Sequence, residues 1–177
     1  MRESKLLAVS AVLTALSFLA NFLPFFRVPW GMQLDFMGAL WVLALFLYGI
    51  RCATLVSVSS SLLLAFFSSS GWLGGAMKFA ATYPMVLIIF AGLALLRKKP
   101  DGVAFVSVIS AVAIAFRSLS MAWLNLYVIP LFTGWPASMI TPLVPQIILL
   151  NAALGAIEVA AAWLLFSRLK RFRETKG

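Results

Sequence analysis

The chain has 177 residues, of which 63% are hydrophobic and only 11% charged. Soluble domains are about half apolar and a quarter charged, so a water-soluble fold is excluded, and with it the reading of the +9 net charge as a nucleic-acid-binding face. The absence of histidine and the single cysteine, Cys52, exclude His-based catalysis, cysteine metal clusters and an internal disulfide framework.

Apolar runs and their breaks predict an all-α integral membrane protein with six transmembrane helices in one domain over 1–177. Helix 1 is expected at 5–24. Arg2 and Lys5 precede it as in a secretory signal, but the run to Leu23 is too long for a signal core and five more runs follow. A loop through Pro29 and Gly31 leads to helix 2 at 34–49, and Gly49 to Arg51 make a tight connection to helix 3 at 52–67. The run Ser68, Ser69, Ser70, Gly71 then leads to helix 4 at 76–96. Arg97 to Gly102, with Pro100 and four charges, is the clearest loop. Helix 5 is expected at 103–128. A Pro- and Gly-rich connection follows, with room for a short interfacial helix, and helix 6 at 143–167 ends in a basic tail.

With the N terminus inside, Arg2, Lys5, Arg51, Arg97, Lys98, Lys99, Arg168, Lys170, Arg171, Arg173 and Lys176 all fall inside, and the outer loops hold only Arg27. This asymmetry predicts cytoplasmic N and C termini in a multi-pass protein of the cell (plasma) membrane.

Charges within spans are costly, about 2.5–3.5 kcal/mol each on insertion scales, so they mark partners or wet cavities. Arg117 and Glu158 both fall near mid-bilayer and can pair, either to lock two helices or to serve a substrate. Lys78 either snorkels outward or faces a cavity. Asp35 either caps helix 2 or contacts a ligand or Arg27. Asn125, Tyr127, Gln146, Asn151 and Gln33 collect in the outer half with Trp30, Trp72, Tyr83 and Trp135, a mixture suited to a flat heteroaromatic ligand. The aromatics also suit a membrane interface. Ala11 and Ala15 lie four apart on one face of helix 1, which allows close approach of another helix, within this chain or outside it.

The run Arg117-Ser-Leu-Ser-Met121-Ala-Trp-Leu-Asn125-Leu-Tyr127-Val-Ile-Pro130 resembles the Arg, Met, Asn, Tyr and Pro pattern of the S components of energy-coupling factor (ECF) vitamin transporters, most like the riboflavin-specific kind. The segment from Gly75 to Thr82 is similar to the family's helix 4, and Ala11 and Ala15 resemble its small-residue docking motif. The resemblance implies an S-component-like bundle, without enzyme activity, that captures riboflavin or another vitamin. It also implies a coupling transmembrane subunit and two cytoplasmic ATPases as partners. Taken with the charged and polar residues above, it makes Asp35, Lys78, Asn125, Tyr127, Gln146 and Asn151 the expected substrate-binding residues, and it makes Ala11 and Ala15 the docking residues. No cofactor or metal is expected. One departure is plain: in Asn151-Ala-Ala-Leu154-Gly155 a leucine stands where the riboflavin-binding pattern has lysine. No segment resembles the phosphate-binding Gly-x-x-x-x-Gly-Lys-Ser/Thr loop, so ATP chemistry is expected on other chains. A structural subunit of a membrane complex, without a ligand, is the alternative of a different class.

Overall fold

Where lipid replaces water, backbone N–H and C=O groups must pair within the chain, and helices do this segment by segment. The computed structural model describes residues 3–22, 26–28, 33–68, 71–98 and 100–175. Its helices are α1 (Glu3–Asn21), α2 (Met37–Tyr48), α3 (Ile50–Phe67), α4 (Gly71–Leu95), α5 (Val103–Tyr127), α6 (Ile129–Thr133), α7 (Ala137–Ile140) and α8 (Val144–Glu174), with a 3-10 turn at Thr141–Leu143. Pro29, Trp30, Gly31 and the Ser69-Ser70 pair, all named in the sequence analysis above, lie outside the described residues.

Among the described residues, five stretches are long and apolar enough to cross a membrane: α1, α3, α4, α5 and the continuous Ala137–Phe172 segment. The expected second span is shorter than predicted. Instead of 34–49 it is a 12-residue apolar helix, about 18 Å long against a hydrocarbon core of about 30 Å. Two features shorten it. Gln33 and Leu34 pair antiparallel with Arg27 and Phe26, giving strands β1 (Phe26–Arg27) and β2 (Gln33–Leu34), and the Asp35 Oδ1 accepts the Met37 N–H at 2.8 Å to start the helix. Gly49 joins α2 to α3 with φ 83°, a left-handed conformation that glycine adopts without steric cost.

α4 begins at Gly71 rather than 76, and the reason lies in packing. A Cβ at Gly75 would lie 2.6 Å from the Ser61 carbonyl oxygen and 2.9 Å from the Ala65 Cβ, so glycine is what lets α3 and α4 approach this closely. Gly75→Ala is expected to destabilise the bundle by about 1–3 kcal/mol, because the obstacle is backbone and cannot rotate away. An unchanged thermal unfolding temperature in detergent would disprove this close approach. α8 continues past the expected 167 to Glu174, helped by exposed Lys170, which pairs with Asp101 at 2.9 Å.

The core is built from α2, which is buried along most of its length, wrapped by α1, α3, α4 and α8. α1 is inverted relative to a soluble helix. Its buried residues are Ser10, Thr14, Ser17 and Asn21, while Leu7, Val12, Leu16 and Leu19 face outward. Inside, Ser10 Oγ lies 3.3 Å from Cys52 Sγ, and Ser17 joins a wider network. Trp41 Nε1 donates to Ser17 Oγ and Ser60 Oγ, each at 2.9 Å, and Ser17 Oγ donates to the Met37 carbonyl at 3.2 Å. Such bonds replace hydrophobic burial as the means of holding helices together in lipid.

The basic segments gather at one end. Trp163 Nε1 donates to the Pro100 carbonyl at 3.1 Å, and Phe46 meets Phe166, so the α4–α5 loop, the end of α2 and the end of α8 share one pole. At the other pole Phe18 meets Phe67, and Trp72 meets Phe132.

Candidate functional site

A cavity of about 340 Å³ lies toward the α6–α7 pole. This is within the range of about 300–1,000 Å³ typical of small-molecule sites. Helical spacing explains which residues reach it. On α5, Arg117, Met121 and Asn125 recur every four residues and all line the cavity. On α8, Ile147, Asn151 and Leu154 line it, and Glu158 continues the same stripe below. α4 contributes Met77, Lys78 and Ala81, and the far wall is made by Ile129, Thr133, Trp135 and Ile140.

The floor holds four charges in one network. Lys78 Nζ sits between Asp35 Oδ1 at 2.9 Å and Glu158 Oε1 at 3.1 Å. The other Glu158 oxygen pairs with Arg117 Nη1. Glu158 is fully buried and Arg117 is 1% exposed, so both depend on these partners for the solvation that the interior cannot supply. Gly38 makes room for them, since a Cβ there would fall on the Glu158 carboxyl group.

The two asparagines are oriented by their own helices. Asn125 Nδ2 donates to the Met121 carbonyl at 2.7 Å, and Asn151 Nδ2 donates to the Ile147 carbonyl at 2.9 Å. Because a carbonyl only accepts, the amide nitrogen must face it, and Oδ1 is turned away. Asn151 Oδ1 lies 3.5 Å from Arg117 Nε, at the outer limit of a hydrogen bond. Asn125 Oδ1 has no bond among the described residues and belongs to the cavity wall.

Asp35, Lys78, Asn125 and Asn151 are thus brought together at one hollow. Tyr127 and Gln146 are not. Tyr127 is 59% exposed and packs on Trp123, because α5 turns it about 200° from Asn125, and Gln146 is exposed one position before the inward-facing Ile147. Tyr83 is also elsewhere, stacked on Phe79 and bonded to Thr54 Oγ1 at 2.9 Å. Trp72 stands edge-on to Phe132, outside the cavity lining, which leaves Trp135 as its aromatic wall among the described residues. Lys78 does not snorkel, and Asp35 combines capping with an ion pair to Lys78. Asn21 was missed, although its signal was present: Ser10, Thr14, Ser17 and Asn21 repeat at helical spacing through an apolar run. Ala11 and Ala15 lie on the exposed side of α1, away from the bundle.

No protein-family model matches the chain, and no curated protein matches it. Among solved structures it is similar to the S component of a bacterial ECF transporter, with a TM-score of 0.80 and 22% sequence identity, covering 97% of this chain and 98% of that one. At this identity the likeness shows the fold: an all-helical bundle of the S-component type with five membrane-length helices.

Proposed function

We propose that this chain is the substrate-binding subunit of an ECF-type importer and that its ligand is riboflavin. The observation carrying the reading is that Lys78, Asn125 and Asn151 line one shared cavity within a bundle of this fold. Riboflavin is favoured by α5, where Arg117, Met121 and Asn125, three residues of the riboflavin-like run, all face that cavity. Asn125 Oδ1 is an acceptor suited to a ring N–H, and Trp135 and Met121 are surfaces suited to a flat ring.

The basic pole is the cytoplasmic one in this reading, and the cavity pole faces outward. Both termini are then inside, α2 counts as the sixth crossing, and the protein sits in the plasma membrane. Delivery inward requires a coupling transmembrane subunit, docked on the exposed Ala11 and Ala15 face of α1, and two cytoplasmic ATPases.

Purified protein is expected to carry a yellow chromophore or to quench riboflavin fluorescence stoichiometrically. Binding of another vitamin without riboflavin would refute the riboflavin assignment alone, and binding of none would refute the capture role. Replacing Asn125 or Asn151 by Leu is expected to weaken riboflavin binding about tenfold or more, because a ligand donor loses its partner. Unchanged affinity in a titration of both variants would remove them from the site.

A further inference from the structure

The cavity floor is electrically closed. Two cations, Lys78 and Arg117, face two carboxylates, Asp35 and Glu158, and each Glu158 oxygen is already taken by one cation. Every other polar side chain lining the cavity is an amide, a hydroxyl or the Trp135 indole. Among the described residues the wall therefore offers no spare charge of either sign. We infer that the site selects ligands without net charge, and that Asp35 is the residue that enforces this by neutralising Lys78. This inference rests on the capture role proposed above.

The physical reason is that a phosphate or carboxylate entering such a cavity leaves water without meeting an unpaired cation. It could recruit Lys78 only by breaking a buried pair and stranding Asp35. A free lysine at the same place would instead welcome an anion. Asp35→Asn creates that state with little change of shape. The asparagine Oδ1 can still accept the Met37 N–H that starts α2, so the helix retains its cap. Lys78 and Arg117 then share Glu158 alone, and the floor carries one excess positive charge.

The test compares riboflavin with riboflavin 5′-phosphate, and pyridoxine with pyridoxine 5′-phosphate, in detergent-purified full-length protein, with biotin and pantothenate as carboxylate probes. The unaltered protein is expected to prefer the neutral member of the pair it binds by about a hundredfold or more. Asp35→Asn is expected to narrow that gap by at least about tenfold. Thr133→Lys, which adds a cation at the exposed rim without touching the four-charge network, should narrow it too and decides the matter should Asp35→Asn not fold. Equal affinity for riboflavin and its phosphate, or no narrowing in either variant, overturns the charge rule while leaving riboflavin capture intact. Preference for neutral pyridoxine upholds the charge rule and overturns riboflavin. Tight binding of biotin or pantothenate without riboflavin by the unaltered protein overturns both, as does binding of no probe, and tight binding of either beside riboflavin overturns the charge rule alone.

Discussion

Glu158→Leu is expected to lower the thermal unfolding temperature in detergent by about 10 °C or more, the consequence of an approximately 3–5 kcal/mol loss when one member of a buried ion pair is removed. Arg117 would lose its carboxylate, and Lys78 would retain only Asp35. Against a typical total of about 5–15 kcal/mol, this is enough to reduce the yield of folded protein. The paired change Glu158→Leu with Arg117→Met is expected to recover more than half of the loss, because it leaves Lys78 and Asp35 as a complete neutral pair. A double variant as unstable as the single one, or a single variant with no loss, would contradict the network as drawn.

Under the docking role proposed above, replacing Ala11 or Ala15 by Trp is expected to abolish vitamin uptake by cells carrying the whole transporter while leaving ligand affinity of the purified subunit unchanged. The two alanines lie on the exposed side of α1, about 110° round the helix from the Ser10, Thr14, Ser17 and Asn21 face that packs inward. An indole there points away from the cavity, but it would hold a docked transmembrane helix away from a surface whose small residues allow close approach. Radiolabelled uptake and a binding titration, measured on the same variants, separate the two effects. Normal uptake would defeat the assignment of this face to docking.

The sequence revealed the helices through their apolar runs, and it revealed the mid-membrane charges because charge is rare there. Arg117 and Glu158 could be matched before any coordinates, since α5 and α8 run in opposite directions and place both near half depth. Their connection to Lys78 and Asp35 could not be read, because it depends on rotation about each helix axis, and an apolar all-round helix carries almost no signal of which side faces inward. The same ambiguity explains Tyr127 and Gln146: both are polar and at the right height, yet turned away from the hollow. The length of α2 was hidden for a different reason. The β1–β2 pair consists of two residues on each side, too few to show an alternating pattern, and its last residue, Leu34, reads as the start of an apolar span.

The brevity of α2 has a consequence for how a captured molecule would sit. α2 has 12 residues and α3 has 18, and the two start from the common Gly49 turn, so α3 rises about 9 Å beyond the point where Asp35 ends the shorter helix. A passenger resting on that step is recessed like a lift car stopped below its landing. On this side α3 would stand between the passenger and the surrounding lipid, with Leu64 lining the hollow and Leu62 and Phe66 facing outward.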